Sequence, residues 1–205
     1  MMSAMADPAT VSHRGRPRSS EADKAISEAT MALLAEEGWA GLTMSGVAQR
    51  AGVSTATLYR RFESKDDLVC AAVATSYDAR PDIDHGSLEA DLRAKLNEIV
   101  ERVRGDGGRL VQGVIGEAAR NPRLAQILRK TVFVSAHDEV RQMIQRAVDR
   151  GEIPPPEDVT LVISLVAGPL FHRLLLTGEP ITSRVVDRLL PLLLAALGAK
   201  PVSGA

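Results

Sequence analysis

Residues 43–65, with the sequence TMSGVAQRAGVSTATLYRRFESK, constrain the fold of this chain most strongly because they predict two short helices joined by a tight turn. Apolar residues recur at helical spacing in the first half, and the hydroxyl of Thr43 can cap its amino end. Gly52 can adopt the left-handed backbone conformation that a sharp helix stop requires. Ser54 is the next capping residue. The sequence therefore predicts a second helix over residues 55–62.

The second predicted helix has two unlike faces. Leu58 and Phe62 lie four residues apart and are expected to face the core. Small side chains in the leading turn allow a helix to enter the major groove of DNA closely. The residues expected to point outward add hydroxyls, reach and charge; these are Thr55, Thr57, Tyr59, Arg60 and Arg61. Taken alone, the spacing also fits an ordinary helical hairpin with solvated arginines at Arg60 and Arg61. The candidate DNA-contacting residues of this segment are Thr43, Ser54, Thr55, Thr57, Tyr59, Arg60 and Lys65.

The segment GVSTATLYRRFESKDDLV resembles the signature of the tetracycline-repressor (TetR) family of transcription regulators. In that signature a Gly-Val-Ser turn precedes a Leu-Tyr-x-x-Phe recognition helix and a lysine opens the next helix; here these are residues 52–54, 58–62 and Lys65. The resemblance is specific from Ala22 to Ala72 and is only architectural after that. It implies an all-α fold, with an N-terminal three-helix helix-turn-helix DNA-binding domain and a C-terminal helical ligand-binding and dimerisation domain.

Glycine, proline and charge along the chain predict three parts: a flexible basic arm over residues 1–19, a helix-turn-helix domain over 20–80 and a helical domain over 87–200. The first helix is expected to run from about Glu21 to Glu37, behind a capping box that Ser20 opens, and Gly38 is expected to end it. Arginines in a flexible arm can follow the phosphate backbone or enter the minor groove, although a solubilising tail is the alternative. The candidate DNA contacts of the arm are Arg14, Arg16 and Arg18.

The last two helices are expected over residues 157–177 and 182–197, and Gly168-Pro169 is expected to bend the first of them. Both are too apolar to be surface helices, so one face should meet the protein body and another a second subunit. The resemblance implies the same, because the last two helices of TetR-family protomers form a four-helix bundle. Such a dimer places two recognition helices about 34 to 36 Å apart. The candidate interface residues are Leu161, Leu165, His172, Leu176, Val185, Leu189 and Leu193.

A pocket for a small-molecule effector is expected among the fifth to eighth helices. Its candidate lining residues are Val111, Ile115, Phe133, His137 and Phe171. Each of these is equally explained as a core residue, and His172 could contact a ligand instead of the dimer seam. Because aromatic residues make up only 3% of the chain, we expect an aliphatic or irregular pocket rather than an aromatic cage.

Composition and targeting features favour a cytoplasmic protein. The single cysteine, Cys70, excludes a disulfide framework and fits a reducing compartment. The first twenty residues lack a signal-peptide core, and the apolar run over 159–176 is interrupted by a Gly-Pro pair and by charge, so no membrane partner is expected. The formal net charge of −1 does not by itself suggest a nucleic-acid partner.

These features together predict a sequence-specific DNA-binding regulator, a repressor that binds a palindromic operator as a homodimer and is released by a small-molecule effector. The alternative is a helical ligand-binding dimer whose DNA-binding half is vestigial. A helical enzyme is disfavoured because the chain has no Gly-rich phosphate loop, no G-x-S-x-G elbow and no H-E-x-x-H motif. No cofactor is expected, and no metal, since His137, Asp138 and Glu139 are consecutive and point in different directions on a helix.

Overall fold

The computed structural model describes residues 17–78 and 83–199, with side chains described over 21–75 and 83–199. Every regular element of these residues is helical. The helices are α1 (Pro17–Gly41), α2 (Met44–Arg50), α3 (Thr55–Tyr59), α4 (Lys65–Asp78), α5 (Leu88–Arg102), α6 (Asp106–Ala118), α7 (Pro122–Leu128), α8 (Val134–Asp149), α9 (Val159–His172) and α10 (Ser183–Ala196). Two π-helical turns, Arg129–Phe133 and Arg173–Thr177, follow α7 and α9.

The first helix begins earlier than the sequence predicted. It starts at Pro17, whose fixed φ suits a first helical position, so Ser20 lies inside α1 and the predicted start at Glu21 was wrong. The regular part of α1 ends where predicted, at Gly38, which has a φ of 70°. The helical residues after Gly38 form a separate last turn that leads into α2.

The predicted caps around the helix-turn-helix are confirmed. Thr43 Oγ1 accepts a hydrogen bond from the Gly46 backbone N–H at 3.1 Å, and Ser54 Oγ accepts one from the Thr57 N–H at 3.1 Å. Gly52 between them has a φ of 67°. The second helix ends at Tyr59 rather than Phe62, because residues 60–61 continue as a turn.

The helical segment that begins after Asn121 is interrupted by a π-helical turn. Asn121 caps α7, its Oδ1 accepting from the Leu124 N–H at 3.1 Å, and Gly151 ends α8 with a φ of 72°. Between α7 and α8 the turn Arg129–Phe133 widens the helix. A second such turn follows α9, four residues after Pro169 removes one backbone donor from that helix.

The buried side chains form two clusters. The C-terminal cluster is built from α5, α8, α9 and α10, and includes Leu96, Ile144 and Leu190. The N-terminal cluster is built from α1 to α4, but it also takes in residues from later in the chain. These are Val114 of α6, Leu124 and Leu128 of α7, and Val132 of the first π-helical turn. Helices α1 to α4 therefore do not close their own core; α6 and α7 complete it.

Polar contacts reinforce the seam between α4 and α7. Asn121 Nδ2 donates to Asp66 Oδ2 at 2.9 Å, and an Arg123 guanidinium N–H donates to Asp67 Oδ2 at 3.1 Å. The boundary expected near residues 81–86 stays a prediction, and residues 79–82 lie outside the described part. The packing crosses it.

Truncating Leu124 tests this shared core. Leu124 has no exposed surface in the N-terminal cluster, so Leu124→Ala should lower the free energy of unfolding by about 2 to 5 kcal/mol in denaturant titrations. Gln126→Ala is the matched control, since Gln126 is exposed on the same helix and should change the value by less than about 0.5 kcal/mol. Equal effects of the two variants would show that α7 does not belong to the core.

Candidate nucleic-acid interface and internal cavity

Helix α3 presents a polar face to solvent above a closed apolar base. Leu58 is fully buried, whereas Tyr59 is 59% exposed and Thr55 and Arg60 are exposed beside it. Thr57 is half-buried, and its hydroxyl lies 2.9 Å from Ser54 Oγ, so these two hydroxyls are partners at the cap. The outer surface of α3 therefore combines hydroxyls, a phenol and a guanidinium on a helix that the core fixes in place.

Arg61 does not belong to this face. Its side chain is half-buried and forms an ion pair with Asp23 of α1. The expectation that Arg61 points outward was wrong, because a partner that lies 38 residues earlier cannot be seen in local spacing. The pair fastens the turn that follows α3 to α1.

Lys65, at the amino end of α4, is held by Trp39. Its Nζ donates to the Trp39 carbonyl oxygen at 2.7 Å and lies 4.8 Å from the centroid of the indole ring. Ser64 caps this helix end, since its Oγ accepts from the Asp67 N–H at 3.2 Å and donates to Asp67 Oδ2 at 2.6 Å. The ammonium is thus held at the amino end of α4 by contacts with Trp39.

The predicted arm falls largely outside the described residues. Arg14 and Arg16 lie there, and Arg18 lies within the first turns of α1, where its side chain is not described. The arm predicted over residues 1–19 is therefore shorter at its carboxyl end than expected, because α1 begins at Pro17.

An ion pair that the sequence analysis missed ties α2 to α1. The Arg50 guanidinium donates to both carboxylate oxygens of Glu36, at 2.5 and 2.7 Å. This bidentate hydrogen bonding lowers the pKa of Glu36 and raises that of Arg50. Both side chains are solvent-exposed, so the pair orients α2 more than it stabilises the fold.

Cys70 has no role at the surface. It is buried in the N-terminal cluster, and burial, followed by the nearby carboxylates of Asp66 and Asp67, raises its pKa to about 12. The thiol is therefore protonated at neutral pH, as expected for a small apolar core residue. Among the described residues, no group of His, Cys, Asp and Glu is placed to hold a metal ion.

A cavity of about 350 Å³ lies among α5, α6, α8, α9 and the first π-helical turn. The structure brings all five predicted ligand-pocket residues to its wall: Val111, Ile115, Phe133, His137 and Phe171. The wall is mainly aliphatic, and Phe133 lies beside His137 with ring centroids 6.2 Å apart. Their role in binding stays a prediction.

The cavity shares its wall with the N-terminal cluster. Val114, Leu128 and Val132 belong to both, and Val73 of α4 also reaches the wall. Two charged side chains, Lys95 and Arg102, line the cavity as well. Sequence reasoning missed them, because a charged residue on an amphipathic helix usually faces solvent.

An exposed apolar surface runs along α9, the second π-helical turn and α10. Leu161, Leu165 and His172 are exposed, and Leu176 is 76% exposed. Leu192 of α10, which is not among the candidate interface residues, is exposed as well. Val185 and Leu189 are half-buried against the C-terminal cluster.

The placement of Leu193 on this surface was wrong. It is only 4% exposed and packs in the core of its own protomer, one residue along the helix from the exposed Leu192.

Residues 159–177 are long and apolar enough to cross a membrane by length and composition alone. However, Val162, Val166 and Leu170 of that helix are buried in the protein core.

Comparisons with known proteins agree with this arrangement. Residues 26–72 match the model described as bacterial regulatory proteins, tetR family, and residues 82–193, more than half of the chain, match the tetracyclin repressor-like C-terminal domain. The chain belongs to the TetR family. This TetR-family chain is therefore a DNA-binding transcriptional regulator. Helix α3 lies at the position of the recognition helix in the family's signature and is called the recognition helix.

Alignments with individual relatives cover most of this TetR-family chain. The transcriptional regulator YdeS of Bacillus subtilis is 30% identical over 85% of this chain and 89% of its own. The DNA-binding transcriptional repressor TetR of Mycobacteroides abscessus is 27% identical over 86% and 91%. The crystal structure of the TetR family transcription regulator SCO0332 is 32% identical, has a TM-score of 0.71 and covers 88% of this chain and 100% of its own.

The cap of the recognition helix can be tested by a matched pair of substitutions. Ser54→Ala removes the acceptor of the Thr57 N–H and should lower the free energy of unfolding by about 0.5 to 2 kcal/mol. Thr55→Ala removes an exposed hydroxyl that is not the cap of the helix, and it should change the free energy of unfolding by less than about 0.5 kcal/mol. Thermal or denaturant melts of both variants measure the difference, and equal losses would contradict the capping role.

Proposed function

We propose that this protein is a homodimeric repressor that binds a palindromic operator through α3 and releases it when a small molecule fills the internal cavity. The observation that carries the proposal is the sharing of Val114, Leu128 and Val132 between the cavity wall and the core beneath the recognition helix. A repressor among its relatives supports the direction of regulation.

The outward residues of α3 and of the turn after it support a division of roles on DNA. Thr55, Thr57 and Arg60 are candidates for base edges in the major groove, where a good contact is worth about 1 to 3 kcal/mol. Phosphate contacts give affinity that is independent of sequence and falls with salt. The candidates for these are Thr43, Ser54, Tyr59, Lys65 and the arginines of the arm, Arg14, Arg16 and Arg18.

The apolar surface of α9 and α10 supports dimerisation through these helices. Large exposed leucines such as Leu161, Leu176 and Leu192 are costly to leave in water, and a two-fold partner would cover the same surface on both copies. The resulting symmetry presents two α3 helices to successive major grooves on one side of the duplex.

The shared wall supports a route from effector to DNA. A ligand among α5, α6, α8 and α9 would press on Val114 and Val132, which pack against the same core as α4. The ligand shifts the protein toward the DNA-incompetent arrangement only to the extent that it binds that arrangement more tightly than the DNA-competent one. Because the interior is close-packed, a small displacement of this wall moves the helices on its other side.

The DNA-binding part is tested by fluorescence anisotropy on duplexes selected from a randomised library, at two salt concentrations. Tyr59→Ala should weaken binding strongly, and Arg60→Ala should cost about 1 to 3 kcal/mol on the preferred sequence while affecting random DNA much less. Arg129→Ala is the matched control, because Arg129 is an exposed arginine on the first π-helical turn. This variant should change neither the affinity for the preferred sequence nor the affinity for random DNA. An unchanged sequence preference after Arg60→Ala would assign base reading to other residues.

The dimer is tested by analytical ultracentrifugation of lysine variants. Leu192→Lys should shift the protein toward monomer, because a charge would be buried against its symmetry mate. Val134→Lys is the control, since Val134 is a similarly exposed apolar residue that lies off the α9 and α10 surface. A dimer that persists in Leu192→Lys and Leu161→Lys alike would place the interface elsewhere.

A further inference from the structure

The charged residues of the cavity wall are of one sign. Lys95 and Arg102 of α5 line the cavity, whereas Glu98 and Glu139, the carboxylates that pair with them, do not. Apart from these two cations, His137 and Ser164 are the only polar side chains in the described wall. A molecule in the cavity therefore meets an aliphatic surface with a cationic end.

Lys95 is an unusual residue for such a wall. Its side chain is 4% exposed, and burying an ammonium is costly unless carboxylates pair with it. Its Nζ donates to Glu98 at 3.0 Å and also to Glu139. An ammonium has three N–H donors, so these two carboxylates leave one of them for a further acceptor.

The two carboxylates differ in how firmly they are held. Glu98 lies one turn along the same helix as Lys95 and also accepts from Arg102. Glu139 comes from α8, and its side chain is 34% exposed, so it can turn to solvent at little cost. A carboxylate entering from the cavity could take the place of Glu139 and leave Lys95 paired with two anions.

We propose that the effector is an amphipathic carboxylic acid, whose carboxylate accepts hydrogen bonds from Lys95 and whose aliphatic part lies against Val111, Ile115 and Phe171. The inference rests on the proposed function, since it names the ligand class of the same cavity. The volume, about 350 Å³, is near the lower end for ligand pockets and suits a compact acid.

The test compares decanoate with 1-decanol, which share an alkyl chain and differ in the head group, by isothermal titration with the full chain. Decanoate should bind about tenfold more tightly, because a charge-assisted hydrogen bond is stronger than a neutral one. Equal affinities, or no binding of decanoate, would overturn the inference.

Substitutions at the pair separate a binding role from a structural one. Glu139→Gln removes the anion that competes for Lys95, so decanoate should bind several-fold more tightly while decanol is unaffected. Lys95→Met should abolish the preference for decanoate, and Lys95→Arg should keep it. An unchanged decanoate affinity in Glu139→Gln would assign Lys95 to packing alone. Because Glu139→Gln leaves Lys95 in place, its result decides between binding and packing even if Lys95→Met fails to fold.

Operator release distinguishes this inference from the proposed function. Decanoate that binds through Lys95 but leaves an operator complex intact in the anisotropy assay would support the ligand class and contradict the induction step. Decanol and decanoate that bind equally and both release the operator would support induction and overturn the carboxylate inference.

Discussion

The recognition helix is fixed by a core that its own domain cannot complete. Leu58 and Val47 are fully buried beneath α3, and the cluster that buries them is closed from the far side by Val114, Leu124 and Val132. Because apolar burial is the main favourable term in folding, the position of α3 depends on this cluster, and two of these side chains, Val114 and Val132, also line the cavity. Surface ion pairs such as Arg50 with Glu36 and Arg61 with Asp23 then set the orientation of α2 and α3 on α1.

Local features were predictable from the sequence, because their causes lie within a few residues. The caps at Thr43, Ser54, Ser64 and Asn121 each act on a backbone N–H three residues later, and the turn at Gly52 needs only its own positive φ. The start of α1 was missed, because a first-turn proline and a capping box three residues later both fit a helix start. Local spacing alone could not choose between them.

The rest of the site depends on contacts between distant residues. Trp39 with Lys65, and Lys95 with Glu139, join elements that a single sequence does not place together. Leu192 and Leu193 are neighbours of the same type, and only the packing of α10 decides which is exposed and which is buried. The π-helical turns could not be predicted for a similar reason, because the same apolar pattern fits an α-helix and a turn with one extra residue. The second turn is also contacted from a distant element, since Gln112 Nε2 donates to the Leu174 carbonyl oxygen at 2.6 Å.

The shared core also bears on how regulators of this kind can be recombined. A hybrid that joins residues 17–78 of this chain to the C-terminal part of a relative would place foreign side chains where Val114, Leu124, Leu128 and Val132 complete the N-terminal cluster. The natural crossover unit is therefore discontinuous: α1 to α4 with the inward faces of α6 and α7. A sensor assembled along the sequence boundary would inherit a mismatched interior, whereas one that transfers both segments keeps the packing on which DNA reading depends.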